Sequence, residues 1–122
     1  MVAETCRSFA DAVLAPQAAE VDKEHMFPAD SIKQLGEMGM MSVFIPEEYG
    51  GSGMDYVSYA IAMEEISRGC ATAGVIMSAH NSLYSAPVEK YGTHEQKVMP
   101  HTTSQDDFML QLHCILILAC VV

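Results

Sequence analysis

Two adjacent carboxylate pairs, Glu47-Glu48 and Glu64-Glu65, are the obvious candidates for acid–base work in this sequence. Neither pair suits it. Neighbours on a helix project about 100° apart, so Glu64 and Glu65 do not converge on one proton. Both are expected at the surface. Glu47 and Glu48 lead into Gly50-Gly51-Ser52-Gly53 and are expected in solvent. That glycine run lacks the strand, the lysine and the spacing of a phosphate-cradling loop. His80, beside Asn81, is a polar interruption that reads as a cap or a surface imidazole rather than a proton carrier. His113-Cys114 and Cys120 offer metal ligands, but no second pair stands at a recognised spacing. No Ser/His/Asp order for nucleophilic catalysis is present.

The elements that would position these side chains are centred on residues 46–97. Gly50, Gly51 and Gly53 let the chain double back between an extended segment and a helix. Asp55 stands where an N-cap belongs, ahead of Tyr56, Tyr59, Ala60 and Met63 at helical spacing. Gly69 reads as the glycine that ends this helix, with Glu64 and Arg68 paired one turn apart on its surface. Upstream, apolar residues from Cys6 to Val21 predict one amphipathic helix over 4–24, kinked at Pro16. A second helix is expected from Ala29 to Met38, with Asp30 in its first turn and Gly39 ending it. Met40 to Ile45 reads as extended, closed by Pro46. Downstream, Ala71 to Tyr91 is expected as helix in two pieces, with Asn81 or Ser82 capping the second around Pro87. Thr93-x-x-Gln96 is a capping box that places Lys97 inside a further helix.

Pro46-Glu47-Glu48-Tyr49-Gly50-Gly51-Ser52-Gly53, followed by Ala60-Ile61-Ala62-Met63-Glu64-Glu65-Ile66-Ser67-Arg68-Gly69-Cys70, resembles the amino-terminal helical domain of the acyl-CoA dehydrogenases. Gly74-Val75-Ile76-Met77-Ser78 with Asn81-Ser82-Leu83-Tyr84 resembles the short-chain members. The likeness runs over residues 4–97 and fades beyond Lys97. The resemblance implies an all-α, orthogonal helical bundle over 1–97 and a divergent apolar tail over 98–122. It further implies flavin-dependent α,β-dehydrogenation of a short acyl-CoA, with electrons passing to an electron-transfer flavoprotein. In such enzymes a carboxylate removes the α proton while the β hydride leaves for FAD, within a dry acyl pocket. That carboxylate belongs to a carboxy-terminal helical bundle and the flavin lies between that bundle and a β domain. Neither part is matched here, so no catalytic or cofactor-binding residue is assigned, and FAD binding and activity are not expected of this chain alone. The helix matching Val75 to Leu83 borders the acyl chain in the resembled enzymes. Carried over by position, this nominates Met77, Ser78, Asn81, Leu83 and Tyr84 as substrate-binding, with a bulky Met77 shortening the cavity. An alternative is a truncated form acting as an interaction or regulatory protein towards the full-length enzyme, or forming homo-oligomers.

Composition narrows the partners. With 16 acidic against 6 basic residues the chain carries a net charge of −10, which disfavours nucleic acid and anionic membranes. Ten methionines and no tryptophan give an adaptable core. A length of 122 residues fits one domain. Four cysteines without CxxC spacing read as reduced thiols, with Cys6 buried on the first helix. The apolar run 108–122 is too short for a spanning helix of about 20 residues. No Arg-rich, acid-poor leader opens the sequence. The resemblance implies the mitochondrial matrix in a eukaryote and the cytoplasm in a bacterium.

Overall fold

The computed structural model describes residues 1–98, and every regular element among them is helical. Helix α1 (Val2–Phe9), a π-helical turn (Ala10–Leu14) and α2 (Ala15–Lys23) follow one another without interruption. Then come α3 (Ala29–Glu37), a 3₁₀ turn (Glu47–Tyr49) and α4 (Tyr56–Gly69). Helix α5 (Ala71–Ala79), a second π-helical turn (His80–Ser85) and α6 (Ala86–Tyr91) run on in the same way, and α7 (His94–Val98) closes the described residues. The tail over 99–122, with His113, Cys114, Cys120 and the apolar run, lies outside the described residues.

The pattern predicts one helix kinked at Pro16 and a capped break near Pro87; the backbone stays helical through both prolines, so the break is absent. Each π-helical turn ends two residues ahead of a proline. Proline lacks the N–H that would bind the carbonyl four residues back, and its ring collides with that carbonyl. A wider turn just upstream accommodates the ring. Ala15 (φ −59°, ψ −41°) and Ala86 (φ −64°, ψ −47°) keep helical angles directly before the two rings. Asn81 and Ser82 therefore cap nothing, and the Ser82 hydroxyl donates to the Ser78 carbonyl at 2.7 Å.

Cys6, Ala10 and Leu14 from the first helix meet Ile32 and Leu35 of α3, Ala62 and Ile66 of α4, and Ala73 and Met77 of α5 in one core. The first helix packs on α4, and α4 on α5. Gly69 serves that packing rather than a left-handed cap. It is the last residue of α4, and the extended Cys70 (φ −154°) makes the turn. A Cβ on Gly69 would lie 2.8 Å from Ala10 Cβ and 3.1 Å from Ala10 Cα, so the helices cross too closely for any side chain.

Met40 to Ile45 is not a strand. It is a set of turns that buries Met40, Met41, Val43 and Ile45. Its carbonyls are satisfied by the returning chain: Ser52 N–H reaches Ser42 O at 3.0 Å, Met54 N–H Val43 O at 2.8 Å, and Gly53 N–H Ile45 O at 2.8 Å. The reversal uses Gly50 and Gly53 in the left-handed region (φ 82° and 58°). Beyond it, Asp55 caps α4 as expected, its carboxylate accepting from Ser58 N–H at 2.8 Å, which holds that carboxyl below its ordinary range. Thr93 and Gln96 form the capping box, each side chain accepting the other's backbone N–H (3.3 and 2.8 Å).

Candidate functional site

Helix α5 and the π-helical turn behind it divide the nominated residues between two faces. Met77 and Asn81 point inward and are fully buried, 0% exposed. Leu83 points outward, 54% exposed, as does Val75 at 68%. Ser78 is half-buried beside them, one turn from Val75 and one from Ser82. Tyr84 is half-buried at the margin, its ring tilted against that of His80 with centroids 5.4 Å apart. Val75, Ser82 and Leu83 thus lie on the outer side of this segment with Ser78 half-buried at its edge, while Met77 and Asn81 lie inside. The position-by-position resemblance does not nominate Val75. Its signal was available in the sequence, because Val75 and Leu83 are two helical turns apart.

Asn81 fastens the glycine-turn unit to this helix. Its Oδ1 accepts from Val43 N–H at 3.0 Å, and its Nδ2 donates to Met40 O at 2.9 Å and to Met77 O at 3.0 Å. His80 reinforces the join. Its Nδ1 lies 2.6 Å from Met41 O, so this nitrogen carries the proton, and Ser85 Oγ stands 3.3 Å from the same atom. The sequence pattern assigns His80 a cap or surface role, yet it is 2% exposed. Imidazole and carboxamide are buried because the turns of 40–43 present backbone groups that only side chains can satisfy.

The carboxylates also divide differently from the sequence expectation. Arg68 pairs with Glu65 Oε2 (3.2 Å) and with Asp11 (2.8 Å), not with Glu64. The Glu65 side chain is only 8% exposed and is held by the Arg7 guanidinium as well. Surface placement holds for Glu64 alone of this pair. Burial of Glu65 follows from the helix crossing, which no local pattern reports. The hydrogen bond from Arg7 is the main cause that holds the Glu65 carboxyl below its usual range. A carboxylate so stabilised is a poor base. Because its folded value is depressed, its contribution is present above the ordinary carboxylate range and is lost as pH falls through the depressed value. Glu65→Gln is therefore expected to lower Tm at neutral pH and to flatten the acid limb of the stability curve, as read by thermal melts from neutral to acid pH. Cys6 is no nucleophile either, since burial, followed by the Glu65 charge, pushes its thiol up.

Among the described residues no group of His, Cys, Asp or Glu is placed to hold a metal ion, and no helix is long and apolar enough to cross a membrane. The described geometry offers a positioned apolar face with a hydroxyl in it, backed by a rigid polar clamp.

Comparison with known proteins gives that face a context. The chain is 58% identical over 106 residues to the bovine (Bos taurus) protein named short-chain specific acyl-CoA dehydrogenase, mitochondrial, covering 84% of this chain and 26% of that protein. The fold matches butyryl-CoA dehydrogenase from Megasphaera elsdenii (TM-score 0.74, 31% identity, 80% of this chain and 26% of that one). It also matches a structure described as the electron transferring flavoprotein of Acidaminococcus fermentans (TM-score 0.77, 38% identity, 84% of this chain and 27% of that one). The chain thus spans about a quarter of the length of the proteins it matches. Residues 1–101 match the family described as "Acyl-CoA dehydrogenase, N-terminal domain", and the chain belongs to that family.

Proposed function

We propose that residues 1–98 serve as the N-terminal domain of a short-chain acyl-CoA dehydrogenase, acting in flavin-dependent α,β-dehydrogenation of short acyl-CoA in fatty acid β-oxidation. Its contribution is one wall of the acyl pocket. The observation that carries this reading is the uncovered apolar face of α5 and its π-helical turn, within a domain that belongs to the family. A dry pocket needs such a face: rigid, apolar and open on the side where another domain is to stand. Ser78 and Leu83 form the wall, joined by Val75 and bordered by Tyr84. Met77 and Asn81 set its position from within.

Glu65, the buried carboxylate among the described residues, is held by Arg7 and Arg68 and is not offered as the base. The base and the FAD site are assigned to the parts of the parent enzyme beyond the quarter matched here. Electron transfer to an electron-transfer flavoprotein is assigned to that complete enzyme, as is a matrix location in a eukaryotic cell. The purified 122-residue chain is expected to be colourless and inert towards butyryl-CoA. A chain that carries flavin absorbance and oxidises butyryl-CoA would overturn this division of labour. A second reading, an interaction protein for the full-length enzyme, is favoured by the exposed apolar residues Tyr56, Val57 and Ile61 on α4. Co-purification of this chain with the intact enzyme tests it.

Within the first reading, Met77→Ala tests support against contact. Met77 is fully buried, so truncation opens a cavity and costs about 3 kcal/mol. The expected result is a lower Tm in the isolated chain, measured by calorimetry.

A further inference from the structure

Tyr59 on α4 joins three parts of the domain. Its ring meets Phe44 edge-on (centroids 5.8 Å, 81° between planes), and Phe44 is itself stacked on Tyr56 (4.9 Å, 26°). Its hydroxyl donates to Ser78 Oγ at 3.3 Å. Phe44 belongs to the glycine-turn unit and Ser78 to the face described above, so Tyr59 links the two. Ser78 brings a half-buried hydroxyl to this face, whereas the polar atoms of Asn81 are fully buried. A serine oxygen in an apolar wall weakens binding of a hydrocarbon chain unless its hydrogen bonding is met elsewhere.

We propose that Tyr59 is a positioning residue for the acyl pocket: its hydroxyl holds the Ser78 oxygen towards α4 and so keeps the wall apolar. The inference rests on the reading of this face as an acyl-pocket wall. Tyr59 touches no substrate; it acts through Ser78. Phe44 fixes the phenol ring from behind, which limits how far the hydroxyl can stray from Ser78. Loss of the phenol hydroxyl frees the Ser78 side chain to rotate towards the pocket, where it presents an unpaired polar group to the acyl chain.

The test uses a flavin-loaded holoenzyme in which residues 1–98 replace the matched segment of the bovine relative. Tyr59→Phe is expected to raise KM for butyryl-CoA about fivefold with kcat unchanged, as loss of roughly one modest interaction requires. Adding Ser78→Ala to Tyr59→Phe should return KM to within about twofold of the parent, because the polar atom is then gone. A purely structural role for Tyr59 would lower Tm without this rescue. An unchanged KM in Tyr59→Phe, or a raised KM that Ser78→Ala does not restore, overturns the proposal. If Tyr59→Phe does not fold, Phe44→Leu carries the same expectations. Leu83→Ser separates the two levels. If it raises KM while Tyr59→Phe does not, only the positioning role falls; if it too leaves KM unchanged, the wall reading falls and the proposal with it.

Discussion

Gly51→Ala should destabilise this domain by about 3 kcal/mol or more, and Gly50→Ala, one residue earlier, by only about 1 kcal/mol. The two glycines are present for different reasons. Gly50 adopts φ 82°, yet a Cβ there would meet nothing within 4 Å. Its replacement costs only the left-handed conformation. A Cβ on Gly51 would stand 2.1 Å from the Ile45 carbonyl oxygen, 2.4 Å from Ile45 Cβ and 2.6 Å from Ile45 C. Ile45 is buried, and its carbonyl also accepts from Gly53 N–H, so its backbone cannot retreat without breaking the turn. For a domain of this size the Gly51 change corresponds to a fall in Tm of roughly 12–24 °C. Thermal melts of the two variants side by side decide the matter. Equal losses would show that backbone conformation, not close approach, governs the loop.

Asn81→Leu is expected to cost about 3 kcal/mol although it nearly preserves volume. The carboxamide meets Val43 N–H, Met40 O and Met77 O in a site closed to solvent. Leucine leaves the Val43 amide and the Met40 carbonyl buried without these partners, and each orphan carries its own desolvation cost. Asn81→Asp sharpens the test. It keeps the acceptor for Val43 but loses both donors and sets a carboxyl against two carbonyl oxygens. Burial raises that carboxyl's folded pKa above its unfolded value. The variant's deficit is therefore largest at neutral pH and shrinks as pH falls towards the unfolded carboxylate range of about 4. Glu65 gives the opposite trend in the parent chain, because its folded value is depressed. Chemical denaturation of both proteins at neutral and mildly acid pH reads the difference, and parallel pH curves would refute the clamp.

The legible parts of this protein are those whose causes are local. The Asp55 cap, the capping box at Thr93 and Gln96, the glycine reversal and the positions of α3 and α4 each depend on residues a few places apart. So does the amphipathic stripe that buries Cys6, Ala10 and Leu14. A family resemblance carried by 46–70 fixed the all-α class. The misread parts are those decided by contacts between elements distant in sequence. Glu65 reads as a surface carboxylate until Arg7, 58 residues away, arrives beside it. His80 and Asn81 read as caps until the turns of 40–43 present backbone groups for them to satisfy. Gly69 reads as a helix stop until Ala10 crosses it.

The same division holds for the candidate wall. The family resemblance nominates the helix for the proposed wall, because that nomination needs only a motif. Which face of the helix remains uncovered, and hence that Met77 and Asn81 lie behind while Val75 joins Leu83 in front, only the tertiary structure decided. The reason is physical: apolar periodicity marks carbon-rich faces, but whether neighbouring helices cover a given face is a property of their packing and not of the helix itself.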